Sequence, residues 1–386
     1  MPIDFNKLID RTNSDSEKWK IKPNELPMWV ADMDFETAPP IKEAVKNIAD
    51  FGIFGYCGVS NQWNEAIANW WQTRHHFQMN PDALIYTSGV IPAISSIVRK
   101  MTTVAENVLV MTPVYNIFFN CILNNGRNVV ENELIYQDGE YSIDFKLLEK
   151  QLSDPQTTMM ILCNPHNPIG KIWDADTLAK IGALCHQYQV IVVSDEIHCD
   201  LCDPGYEYIP FAAVNETCAN ISITCIAPSK AFNIAALHTA AVYVANPYLY
   251  HKVNRGLNTD DIAEPNAFAA AAAIAAYTSG AAWLDELRNY ILENKMLVST
   301  YLKANIPQIK LVEGHATYLI WLDCSSFCDD SKAFSAFIRQ ETGLWLSSGH
   351  VYRGNGNCFL RMNIAAPKER VIDGLNRLKE AVNRYQ

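Results

Sequence analysis

The chain has no apolar run long enough to cross a bilayer. Its longest, residues 267–277, is 11 residues and mostly alanine, about half of the ~20 that a membrane-spanning helix requires. It has no surplus of positive charge: 31 Lys and Arg stand against 42 Asp and Glu, a formal net charge of −11. That balance argues against the clustered basic footprint of a nucleic-acid binder. Met1 is followed by Pro2, Asp4 and Asn6 and by no basic stretch with an apolar core, so no signal peptide is expected. The 11 cysteines are an odd number scattered along the chain and read as reduced thiols in a cytoplasm, not as a disulfide framework. Cys199 and Cys202 have CxxC spacing, but no second Cys or His pair stands at finger spacing and none of the histidines has metal-ligand spacing to another. No metal is expected. Neither a membrane nor a nucleic acid is expected as partner, and there is no repeat of fixed period.

What is present is an ordinary globular composition: 386 residues, 49% hydrophobic and 19% charged, with 17 Gly and 18 Pro. That length accommodates a large α/β unit with a second, smaller domain. Apolar, β-rich runs recur through the middle of the chain at 84–89, 108–113, 159–165, 190–196, 222–229 and 240–247, separated by amphipathic stretches such as 176–189. Near-continuous apolar strands alternating with helices predict an α/β fold with a mostly parallel sheet covered on both faces. After about residue 280 the pattern becomes a long helix (283–305), a strand (317–324), a helix (331–341), a strand (359–363) and a closing helix from Lys368, the order of a smaller α+β domain. The division expected is a large domain at 47–280 and a small domain made of 1–46 and 281–386. Pro23, Pro27, Pro39 and Pro40 lead us to expect the first 45 or so residues to wander over the surface and dock on the small domain.

In an open parallel sheet, ligands bind beyond the carboxyl ends of the strands. The residues found there are informative. After 84–87 comes "SGVIPA", where Gly89 turns the chain, Pro92 suits a first helical turn, and the N–H groups of Gly89, Val90 and Ile91 make an anion site. After 159–163 comes "NPHNPIG", presenting Asn164 and Asn167; after 190–194 come Asp195, Glu196 and His198; after 222–226 comes "APSK", with Ser229 and Lys230. Each has an ordinary structural explanation on its own: a helix entry, a rigid turn, a cap, a lysine whose head reaches water. Together they supply a phosphate cradle, an amide for a phenolic oxygen, a carboxylate for a ring nitrogen and a lysine able to form an imine. That is the set a pyridoxal phosphate enzyme needs.

The ordered motifs S-G-x-x-x-A, N-P-x-N-P-x-G, S-D-E-I-H, A-P-S-K-x-F-N and F-x-R-x-N resemble the fold type I pyridoxal 5'-phosphate enzymes of the aspartate aminotransferase class (class I/II). "LPMWVADMDF" (26–35), "GIFGYCG" (52–58), "TPVYNIFF" (112–119), "LCNPHNPIGKIW" (162–173), "SDEIHCDL" (194–201) and "APSKAFNIAAL" (227–237) resemble more closely its MalY/PatB branch, the cystathionine β-lyase and cystalysin-like carbon–sulfur lyases. The resemblance implies that Lys230 is the Schiff-base lysine, that Asp195 pairs with the pyridine nitrogen, that Asn167 donates to the phenolic oxygen and that Tyr115 stacks on the ring. His198 stands where aminotransferases often have tyrosine. Tyr56 matches a tyrosine supplied by the partner subunit toward the phosphate, which implies a homodimer. Arg361 matches the arginine that grips the substrate α-carboxylate.

Several positions depart from that pattern. Ala231 replaces a usual threonine, Ala236 a usual glycine, and His238 stands where many aminotransferases have a phosphate-binding arginine. Asn116 stands where a second tyrosine is common, and Tyr352-Arg353 where Phe-Gly is common. Asn116 and Arg353 are therefore candidates for contacting substrate. The activity implied is α,β-elimination from L-cystathionine, L-cysteine or cysteine S-conjugates, with a small-molecule sulfur amino acid as substrate. The alternatives are an aminotransferase of the same fold and a regulatory, partner-binding protein that keeps the fold.

Overall fold

All six apolar runs form strands of one seven-stranded sheet. A computed structural model describes residues 3–385. From one edge the strands are Leu84–Thr87, Ala240–Tyr243, Ser222–Ile226, Ile191–Asp195, Thr157–Cys163, Asn107–Thr112 and Asn128–Glu133. Six of them run in one direction, and only Ala240–Tyr243 is reversed, antiparallel to both its neighbours. The edge strand Asn128–Glu133 has the polar sequence NVVENE, which hides it from a search for apolar runs. Central strands such as Ser222–Ile226 are buried at every position because helices cover both faces.

The covering helices follow the expected spacing. Val90–Met101 buries Val90, Ala93, Ile94, Ile97 and Val98, one stripe at helical period. Ala175–Gln187 begins at Asp174, whose carboxylate accepts from the Thr177 N–H at 2.8 Å. The alanine-rich run forms Ala269–Ser279. The second half of the chain supplies a four-stranded sheet containing Leu319–Asp323 and Phe359–Asn363, flanked by Ala281–Asn305, Ser331–Thr342 and Lys368–Tyr385.

The N-terminal segment runs over the surface only in its first part, where most of residues 4–16 are exposed. It docks on elements of the chain's second half as expected, but residues 26–37 are not loose. Met28, Met33, Asp34 and Phe35 are buried, and residues 26–37 form a strap wedged between the two sheets. On one side, Leu26–Pro27 pairs with Leu344–Trp345, and the Asn363 side-chain amide donates to the carbonyls of Val30 (2.5 Å) and Asp32 (2.6 Å). On the other, Asn233 accepts from the Met33 N–H at 3.0 Å and donates to the carbonyls of Met33 (3.0 Å) and Phe35 (2.9 Å). Asp34 lies inside a cage of Arg11, Lys18, Arg370 and the Trp19 indole N–H, all within 3.2 Å. The prolines that suggested a loose arm interrupt regular structure only; the backbone groups they leave free are taken up by asparagine side chains.

Asn233 has φ = 56°, a left-handed conformation that asparagine tolerates better than most residues. Asn233→Ala removes three hydrogen bonds at a strained position and should cost about 2–4 kcal/mol, read as a lower denaturant midpoint together with faster hydrogen exchange at the Met33 amide. Unchanged exchange there would show that the strap is held by other contacts.

Candidate active site

At the carboxyl ends of the central strands lies a cavity of about 240 Å³, walled by Ser88 to Pro92, Tyr115, Asn167, Asp195, His198, Ser229 and Lys230, with Ala31, His238 and Thr239 completing it. Every residue that the sequence singles out as cofactor-binding is on this wall. Grooves of about 610 and 1090 Å³ elsewhere are larger, but the most buried ions on their walls are paired: Lys295 with Asp203 at 2.6 Å, Glu25 with Arg339 at 2.8 Å.

The cavity differs in that its charges lack partners. Lys230 follows the buried strand Ser222–Ile226 through the turn at Pro228, and its Nζ donates to the Ala31 carbonyl at 2.7 Å. Crowding by protein and the nearby Arg361 charge lower its pKa to about 8, against the opposing pull of Asp32 and Asp195. Asp195 ends its strand buried, accepting only from the Ile197 N–H at 3.2 Å. Burial pushes its pKa up to about 7, and the Ile197 amide and the Lys230 charge offset only part of that. Next to it, His198 is buried with its Nδ1 unpartnered, and burial together with the charges of Lys230 and Arg361 drops its pKa to about 3. It is a neutral imidazole at any ordinary pH. Tyr115 is a neutral phenol for the same reason, its pKa raised to about 12 by burial above all.

Arg361 stands one contact behind the wall. It sits in the middle of the buried strand Phe359–Asn363 and is itself buried. One guanidinium nitrogen donates to Asn167 Oδ1 at 3.2 Å and another to the Trp29 carbonyl at 2.8 Å, while Nε has no partner. No carboxylate pairs with it among the described residues. At the other end of the cavity, Gly89 precedes the helix Val90–Met101 and no side chain caps that helix, so its first N–H groups point out of the helix without internal acceptors. The buried Thr239 hydroxyl also has no partner.

Besides Arg361, three site residues named from the sequence are not on the cavity wall. Tyr56 is fully exposed on this chain, beside exposed Phe51, Ile53 and Phe54. Asn116 begins the short helix Ile117–Leu123. Arg353 is committed elsewhere, donating to Glu131 at 2.9 Å with its guanidinium 4.0 Å from the Phe119 ring centroid. In turn, the structure brings in residues that sequence reading missed: the Ala31 and Trp29 carbonyls, and Tyr318, whose hydroxyl also donates to Ala31 at 3.0 Å. The quoted segment "LPMWVADMDF" held the signal, but main-chain carbonyls carry no residue-type mark.

The comparisons with known proteins agree on one lineage. The aminotransferase class I and II family profile matches residues 26–377. The chain is 39% identical to cystathionine beta-lyase PatB of Bacillus subtilis over 99% of this chain and 100% of that protein, and 32% identical to protein MalY of Escherichia coli over 98% and 99%. The crystal structure of cystalysin from Treponema denticola, which contains a pyridoxal 5'-phosphate cofactor, superposes with a TM-score of 0.97 at 32% identity, covering 100% of both chains. With a cavity of unpaired charges at its strand ends and a family match over most of its length, the chain belongs to the class I and II aminotransferase family.

Proposed function

We propose that this protein is a pyridoxal 5'-phosphate-dependent carbon–sulfur β-lyase that cleaves L-cystathionine, L-cysteine or cysteine S-conjugates to a thiol, pyruvate and ammonia. The observation that carries the reading is a buried carboxyl group, Asp195, with no cation in contact with it, and a buried cation, Arg361, with no anion, both near enough to Lys230 for their charges to act on it. Burying an ion costs several kcal/mol, which hydrogen bonds to neutral carbonyls do not recover. The ligand that fits brings a protonated ring nitrogen to Asp195 and a carboxylate to Arg361, and both belong to pyridoxal phosphate with an amino acid. The unpartnered Thr239 hydroxyl and the uncapped helix start at Gly89 suit the cofactor's phosphate.

When bound, pyridoxal phosphate supplies a carbonyl for amines and a conjugated ring that accepts the electron pair of the broken Cα–H bond. Lys230 would hold it covalently, with Asp195, Asn167, Tyr115, His198, Ser229 and the Gly89–Val90–Ile91 amides around it. Arg361 orients the amino acid through a two-point fork on its α-carboxylate, which a lysine cannot reproduce. As a free amine Lys230 has a pKa of about 8. A substantial fraction of it is thus neutral near physiological pH and able to take the Cα proton. Neutral His198 and Tyr115 add no competing charge beside that base. Loss of the β-thiolate then breaks the carbon–sulfur bond.

Tyr56 is fully exposed and off the cavity wall of its own chain, so we read it as reaching the site of a second copy and the protein as a homodimer. The exposed apolar residues Phe51 (70%), Ile53 (69%) and Phe54 (59%) beside it form the kind of patch that a partner covers. The large domain is read as residues 47–280 and the small one as 1–46 with 281–386. The seven-stranded sheet lies within the first and the four-stranded sheet within the second, and the strap joins them. None of the described helices is long and apolar enough to cross a membrane, and nine of the 11 cysteines are free and buried, which suits a reducing cytoplasm.

Cofactor-loaded protein given L-cystathionine and no keto acid should release pyruvate and thiol in equal amounts. Amino-group transfer that appears only when a keto acid is added would instead make it an aminotransferase, and failure to take up the cofactor would leave a partner-binding role. Arg361→Lys keeps the charge but loses the fork, and kcat/KM should fall about 100-fold or more, within the ~2–5 kcal/mol of a broken buried charge pair. An unchanged kcat/KM would remove Arg361 from substrate binding. Co-expressed Lys230→Ala and Tyr56→Ala chains, each inactive alone, should recover up to about a quarter of wild-type activity, because half of the symmetric dimers are hybrids with one whole site. No recovery would place Tyr56 in its own chain's site or in none.

A further inference from the structure

A second cluster lies one turn beyond the strand end that carries Asp195. His75, at the end of the helix Asn61–Arg74, meets Cys199 and Asp200, which open the short turn Cys199–Leu201. The ligand atoms of all three lie within 4.8 Å of one another. His75 and Asp200 are 125 residues apart in sequence, which is why no motif spacing reveals them. They border a cavity of about 650 Å³, also lined by Arg74, His76, Cys202, Tyr206 and Tyr208.

The carboxylate of Asp200 is the unusual element. Its side chain is 2% exposed. Oδ1 accepts from the Trp70 indole N–H at 2.9 Å and lies 2.9 Å from His75 Nε2, whereas Oδ2 is buried with no partner. The carboxylate is thus held by one oxygen and left with the other buried and unsatisfied. Arg74, the nearest permanent cation, is turned toward Asp285 at 2.6 Å, and Arg288 donates to the Cys202 carbonyl. Beside this carboxylate sits the Cys199 thiol, free and buried.

We propose that His75, Cys199 and Asp200 form a site for one divalent transition cation of the zinc class, separate from the cofactor cavity. Nitrogen, thiolate and carboxylate donors suit a borderline-soft ion and disfavour the hard, oxygen-seeking magnesium and calcium. Zinc bonds of about 2.0–2.3 Å set tetrahedral ligand atoms about 3.3–3.8 Å apart, a spacing the cluster reaches by small side-chain movements. The cation satisfies Asp200 Oδ2 and displaces to solvent, through the cavity, the Cys199 proton and any proton on the His75 nitrogen that binds it. Two anionic ligands then balance its charge. The fourth position faces the cavity and is open to water or a small ligand. The bound ion ties the helix Asn61–Arg74 to the turn that follows Asp195 and His198, so it braces the cofactor site from outside.

The test is equilibrium dialysis of the cofactor-loaded enzyme against Zn²⁺ followed by metal analysis, with Co²⁺ in parallel as a spectroscopic probe. One ion per chain is expected, with the intense visible absorption of tetrahedral cobalt and a raised thermal midpoint. Cys199→Ala and His75→Ala should each lose the ion and the absorption, and Cys57→Ala, which removes the exposed thiol, should keep both. Absence of stoichiometric uptake by the wild type, the weak spectrum of octahedral cobalt, or uptake that survives both Cys199→Ala and His75→Ala would overturn the proposal. If the two variants fail to hold cofactor and thus to fold, the stoichiometry and cobalt spectrum of the wild type still decide it.

Discussion

The constraint on which this structure depends is the unbalanced charge at the carboxyl end of its central sheet. Lys230, Asp195 and Arg361 share one region, yet none forms an ion pair. Elsewhere some buried ions are closely paired, as Asp34 with Lys18, Arg11 and Arg370, while others, such as Arg127 and Glu196, are satisfied by several neutral hydrogen-bonding groups. An interior that neutralises its ions in one place and leaves them apart in another is under a functional demand at the second. The consequence is a lysine whose pKa is lowered to about 8 and a carboxylate whose pKa is raised to about 7, each drawn toward neutrality by burial.

Holding such a set in place requires backbone, and much of it comes from the strap at residues 26–37. Its Ala31 carbonyl meets the Lys230 ammonium and its Trp29 carbonyl meets the Arg361 guanidinium. These neutral acceptors position both cations without cancelling their charge. Asn233 and Asn363 clamp the strap from opposite sides. Asn233 belongs to the same "SKAFN" stretch as the lysine, so one loop fixes the reactive amine and the segment that orients it. The helix Asn61–Arg74 and the Asp195 turn meet again at Asp200, where another unsatisfied buried oxygen occurs. The two regions share a pattern, charge buried ahead of the ligand that would balance it.

By itself the sequence determined the kind of fold and the inventory of the site. Apolar runs of strand length report burial on both faces wherever they occur, and the residue ending each run lies at the sheet's ligand edge by topology; Gly89, Asn167, Asp195 and Lys230 follow from that. The polar edge strand Asn128–Glu133 escaped because only one of its six residues is buried. Tertiary structure alone decided which charges go unpaired, that Arg353 spends its charge on Glu131, that a proline-punctuated N-terminus contains a buried strap, and that His75 meets Asp200 across 125 residues. The reason is physical. Burial periodicity is a local property written into side-chain order, whereas pairing and desolvation depend on distances between segments remote in sequence, and main-chain carbonyls contribute to them without any residue type to announce it.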